Sequence, residues 1–117
     1  MWSIGCILCE LLTGRLLFDT HADDEHLKMI ERTVGAFPLA LAHQNRTHFR
    51  HDGALRWDAR SANKDSRDRI KHCQPLAQAL RSAHDAEFSD LVVRLLCIDA
   101  AQRLTATAAL QHPWLRV

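Results

Sequence analysis

Residues 2 to 13, WSIGCILCELLT, constrain this chain more than any other stretch. Ser3, Glu10 and Thr13 lie along one narrow helical stripe, and nearly every other position is apolar. A helix of that kind must bury most of its circumference, so it belongs in the middle of a packed structure rather than on its surface. Gly14 follows at the position where a left-handed residue ends a helix. A central helix rarely begins at residue 2, so the expectation is that the chain forms part of a larger domain. The same segment does not read as a leader, because no positive charge precedes it and Glu10 interrupts it. Its uncharged run is also shorter than the roughly 20 residues a bilayer requires.

The remaining composition fits a soluble globular fold. Of 117 residues, 47% are hydrophobic and 25% charged, and the net charge is +1 with histidine neutral. Bulk charge therefore gives no reason to expect nucleic acid or a membrane surface as partner. Residues 43 to 72 differ, holding eight Arg and Lys against four Asp, a local +4. Cys6, Cys9 and Cys97 sit in apolar runs, where cysteine behaves as a small hydrophobe. That usage points to a reducing compartment, nucleus or cytoplasm.

A second helix is expected from Asp24, a good N-cap, with Glu25 placed well for the helix dipole. Leu27, Ile30 and Val34 supply its apolar stripe with Met29 beside it, and Lys28, Glu31 and Arg32 its wetter face. Gly35 and Pro38 stop it. Residues 43 to 75 show no sustained helical period. They read as a long irregular insertion anchored by Phe49, Leu55, Trp57 and Ile70, with a hairpin signal at Asp52-Gly53. Leu76 to Leu80 reads as a short helical turn. Asp85 opens a helix with Phe88, Leu91, Val92 and Leu95 on one face, and Thr105 caps a short helix through Leu110. The fold class is all-α.

Particular motifs now fall in order. The opening helix resembles the central helix of a protein-kinase C-lobe, D-x-W-S-x-G, through Trp2, Ser3 and Gly5. The end of the chain resembles the close of a kinase domain, D-P-x-x-R followed by H-P-W, through Asp99, Arg103, His112, Pro113 and Trp114; Ala100 replaces the usual Pro. Between them, EHLKMIERTVG is similar to the motif E-H-L-A-M-M-E-R-I-L-G of the LAMMER (CLK) kinases in the CMGC group. Glu25, His26, Leu27, Met29, Glu31, Arg32 and Gly35 match it; Lys28, Ile30, Thr33 and Val34 depart. The insertion also resembles its LAMMER counterpart around His51-Asp52, Trp57-Asp58 and Cys73 to Leu76.

The resemblance implies a partial protein-kinase-like C-lobe over residues 1–117: a central buried helix, the LAMMER helix, a long CMGC/LAMMER-type insertion over 40–80 and two C-terminal helices. It implies a structural role for the LAMMER motif. It implies a parent enzyme that uses ATP and Mg to phosphorylate Ser/Thr, with Arg/Ser-rich splicing factors as substrates and dual specificity in its relatives. The remainder of the kinase domain is then the chain's first partner. Basic substrates call for an acidic docking surface, and Asp19, Asp23, Asp24 and Glu25 cluster where one would lie. N-capping and dipole compensation account for the same residues. The Arg matched by Arg103 usually pairs with a glutamate of the activation segment; here it is expected either buried without a carboxylate or exposed.

The chemistry of phosphoryl transfer is missing from the 117 residues. It needs a glycine-rich phosphate loop, a strand lysine, a catalytic aspartate and Asn and Asp ligands for magnesium. Gly5, Gly14, Gly35 and Gly53 are far apart, and neither H-R-D nor D-F-G occurs. No catalytic, cofactor-binding or metal residue is assigned, no cofactor is expected in this chain, and the chain alone is expected to be inactive. Other readings are carried less far by the residues. Cys6-x-x-Cys9 has zinc-like spacing but lies on an apolar helix without the turn paired ligands need. The basic insertion has few aromatics for stacking on nucleic acid. A free-standing non-catalytic module that competes for kinase partners would use the same fold.

Overall fold

The structure, a computed structural model, describes residues 1–116. Among them the chain is helical and contains no strand, only an isolated antiparallel bridge between Phe49 and Leu55. No described helix is long and apolar enough to cross a membrane. The backbone divides into two compact units, one made of Met1–Leu17 with the residues from Pro75 on, the other of Phe18–Gln74.

The first unit is built around α1, Trp2–Thr13. Gly5 and Cys9 are buried, and Gly5 lets α6 (Ala86–Leu95) come close: a Cβ there would lie 2.9 Å from Leu96 Cγ and Cδ2. Gly14 takes the left-handed conformation expected of it, and its N–H caps Glu10 O at 2.8 Å. Glu10 in turn accepts the Leu17 N–H. The expected turn after Pro75 is α5, Leu76–Ala79, running on into a 3-10 turn at Leu80–Ala83. Asp85 caps α6 by accepting the Phe88 N–H, and Leu91, Val92, Leu95 and Leu96 fill the core. Thr105 caps α7, Ala106–Ala109, which stops one residue short of the expected end, and Pro113–Leu115 forms a closing 3-10 turn.

One side of α1 is open. Ile4, Ile7 and Leu11, spaced i, i+3, i+7, are all exposed, Leu11 to 78%. Together with Leu8, Leu91, Leu95 and Trp114, Ile4 lines an apolar cleft of about 330 Å³. The helix has the composition of a fully surrounded element, and part of its surface is bare in this chain.

The second unit departs from the sequence reading in particular ways. α2 runs Asp23–Thr33 with Ala22 at the N-cap and no side-chain cap, so Asp24 is not the capping residue. The helix starts earlier, which puts Asp23, Asp24 and Glu25 together in the first turn, where the dipole favours them. The insertion is not irregular throughout, since it carries α3, Leu39–Gln44, and α4, Lys64–His72. α4 escapes a search for apolar period because its buried residues are Ser66 and Ile70, only one of them apolar. Polar bonds make it instead: Asn63 Oδ1 accepts the Ser66 N–H at 2.8 Å, and Lys64 pairs with Asp68 four residues on. The Asp52-Gly53 hairpin forms as expected, bringing Phe49 and Leu55 together over Ala42, with Phe37 edge-on to Phe49.

Candidate functional site

The residues of the EHLKMIER stretch do separate jobs on α2. Leu27 packs against the Phe49 cluster, and Met29 and Ile30 are buried. Glu25 is also buried, 3% exposed, and its two oxygens are held by Arg69 of α4: Nε donates to Oε1 and Nη2 to Oε2, the latter at 3.1 Å. This bond raises the Arg69 guanidinium above its ordinary pKa, against the opposing effect of desolvation. Lys28 donates to Glu31 one turn on and stands 6.0 Å over the Trp57 ring, whose Nε1 donates to Ser66 Oγ at 3.1 Å. His26 tilts against Phe18 at 5.5 Å, and Arg32 is exposed. Asp24 pairs with His48 Nδ1 at 2.7 Å. Thus α2 is fastened to the insertion at Asp24, Glu25 and Lys28. Arg69, His48 and Trp57 are partners that sequence reasoning did not assign, because nothing local in a sequence links positions so far apart.

The acidic residues read as a docking patch are divided by the structure. Asp19 and Asp23 are exposed, Asp24 is half-buried on His48, and Glu25 is closed off by Arg69. Glu25 therefore offers no oxygen to a basic peptide, and the patch reduces to the remaining aspartates.

The motifs at the two ends of the chain meet within the first unit. Arg103 lies 5.3 Å over the Trp2 ring, donates from Nε to Cys97 O at 2.8 Å and from Nη2 to Ile98 O at 3.1 Å. Neither expected state of Arg103 holds: it is half-buried, with carbonyl oxygens and an indole face as partners. Ser3 is exposed. His112 is buried, accepts the Trp114 N–H at Nδ1 and so donates from Nε2 to Asp90 Oδ2 at 2.9 Å. That bond, ahead of the one from Arg94, holds the Asp90 carboxyl below its usual pKa. Pro113 opens the last 3-10 turn, and Trp114 sits edge-on to Phe88 at 5.1 Å.

No group of three or more His, Cys, Asp or Glu side chains that could hold a metal is found among the described residues. Cys6 and Cys9 lie on α1, and burial pushes both thiols up, Cys9 to about 11. The arrangement is one of clamps, whose ionisable groups are tied to each other rather than aimed at an open site.

The model of the protein kinase domain matches residues 1–115. The chain belongs to the protein kinase domain family. Its relatives are kinases of the CLK, or LAMMER, type. It is 36% identical to the probable serine/threonine-protein kinase clkA of Dictyostelium discoideum, over 98% of this chain and 12% of that one. It is 37% identical to the serine/threonine-protein kinase AFC3 of Arabidopsis thaliana, over 99% and 31% respectively. With the dual specificity protein kinase CLK4 of Mus musculus the identity is 40%, over 97% and 24%. A solved crystal structure of a kinase domain superposes with a TM-score of 0.87 at 30% identity, covering 98% of this chain and 35% of that one. The chain thus spans less than a third of the length of each of these curated relatives.

Proposed function

We propose that this chain is a non-catalytic, C-lobe portion of a LAMMER-type kinase, and that the parent enzyme uses ATP and Mg to phosphorylate Ser/Thr in Arg/Ser-rich proteins such as splicing factors. The observation that carries this reading is the lack of a phosphate loop, an H-R-D or a D-F-G anywhere in a sequence that matches the kinase family along almost its whole length. The glycines have structural posts instead: Gly5 faces Leu96, Gly14 ends α1 and Gly53 turns the hairpin. The remainder of the kinase domain is the chain's proposed partner, and the open Ile4, Ile7, Leu11 stripe gives it an apolar surface to cover.

The test is a filter assay with purified chain, labelled ATP and an Arg/Ser peptide. Incorporation should not exceed that of a heat-killed control; turnover above it would refute the reading. Binding of the same peptide in the absence of ATP separates docking from chemistry. Asp23 is the exposed carboxylate available for that docking, with Asp19 nearby at 3.5 Å from His21 Nε2, and reversing the charge at Asp23 should weaken it.

A further inference from the structure

The outer face of the hairpin carries two exposed arginines that form no ion pair among the described residues. Phe49 and Leu55 form the bridge and are buried, so strand alternation puts Arg50 and Arg56 on the opposite, exposed face. The bonds from Arg50 N to Ala54 O and from Arg56 N to His48 O fix the register. Arg50 then stands opposite Ala54, and Arg56 is its diagonal neighbour, at the roughly 7–8 Å from which long side chains converge. Arg56 is also anchored: its Nε donates to Arg46 O at 2.8 Å, which leaves the Nη fork available. Of the adjacent acids, Asp24 pairs with His48, and Asp52 accepts the Ala54 N–H at Oδ1 without reaching either guanidinium. Among the described residues neither Arg50 nor Arg56 takes part in an ion pair, whereas Arg69 and Arg94 do.

We propose that this face binds the phosphate of a phosphorylated protein segment, gripped between the Arg50 and Arg56 guanidinium groups. Like charges held as diagonal neighbours repel, and a dianion between them removes that repulsion. A phosphomonoester offers three acceptor oxygens, which suits two planar forks better than one carboxylate does. Nucleic acid fits the face less well. Phe49 is 2% exposed and Trp57 lies under Lys28 with its N–H on Ser66, so neither of the large aromatic rings there is free to stack a base. Such binding requires no phosphoryl transfer by the chain itself.

Fluorescence anisotropy with the full chain tests it, using a labelled peptide carrying one phosphoserine, its unphosphorylated twin and a single-stranded RNA of equal length. The phosphopeptide should bind at least about tenfold tighter than its twin. Arg50→Gln with Arg56→Gln should erase that preference while the thermal midpoint stays put. Arg50→Lys with Arg56→Lys, which keeps the charge but not the forks, should lose most of it. Equal affinity for the two peptides, a preference unchanged in either double variant, or tighter binding of the RNA would each overturn the proposal.

Discussion

Arg69 reaches back 44 residues to hold both carboxylate oxygens of Glu25, a buried acid in the first turn of α2. The LAMMER helix and the insertion helix are therefore one ionic unit. Removing only the cation leaves a carboxylate buried without its partner, which costs more than removing both charges together. Arg69→Gln should lower the melting temperature clearly more than Lys71→Gln, the loss of an exposed neighbour. Adding Glu25→Gln to Arg69→Gln should recover part of the loss. A double-mutant cycle by thermal denaturation gives the coupling, and additive effects would show that the pair does not act as a unit.

Gly5 is where α1 and α6 approach. Alanine there would normally favour a helix by roughly 1 kcal/mol. Here its Cβ would lie 2.9 Å from two carbons of the fully buried Leu96 and 3.1 Å from Leu95 Cβ. Gly5→Ala should therefore destabilise the chain by about 1–3 kcal/mol. Combined with Leu96→Ala it should cost less than the sum of the two, because the truncated side chain admits the new methyl. Urea denaturation of both single variants and the double variant measures this.

Phe49 anchors the hairpin against Ala42, Leu55 and Phe37. Phe49→Ala should cost about 3–5 kcal/mol, since it removes a fully buried ring and leaves a cavity. Hydrogen exchange should report the loss first in the amides of Arg50 and Arg56, whose bonds close the hairpin.

Acid sensitivity should trace in part to Asp90. Its carboxyl lies below the ordinary value of 3.8 because His112, and then Arg94, bonds to the charged form. A depressed carboxyl stabilises the fold fully above the unfolded value, and that contribution is lost as pH falls through the folded one. Asp90→Asn should therefore flatten the decline of the melting temperature below pH 3.8, though not abolish it, because Asp68 is lowered in the same direction by Lys64.

The alkaline limb should trace in part to α1, alongside Cys73, whose thiol burial also raises. Burial pushes the Cys9 thiol from 9.0 to about 11. Its contribution to stability is complete below 9.0 and is lost as pH rises through about 11, where the folded thiol too gives up its proton. Native protein at neutral pH should leave Cys9 unlabelled by iodoacetamide, and Cys9→Ala should weaken the fall in melting temperature across that alkaline range.

What the sequence alone determined is local or periodic. The helix of residues 2–13, its Gly14 terminus, the Asp85 and Thr105 caps and the hairpin turn are each dictated by residues within a few positions of one another. Order and spacing of the Trp2-Ser3-Gly5, Glu25–Gly35 and His112-Pro113-Trp114 motifs were enough to reach the kinase family. Helix α4 was not legible, because it is held by a cap, an ion pair and one buried Ile70 rather than by an apolar stripe. Only the tertiary structure decided where the charges go. It gave Glu25 to Arg69 rather than to a basic ligand, Asp24 to His48 rather than to a cap, and Arg103 to carbonyls and the Trp2 face. Each of these choices joins residues brought together by packing, and a charge in a partly buried site takes whichever partner the surrounding backbone presents.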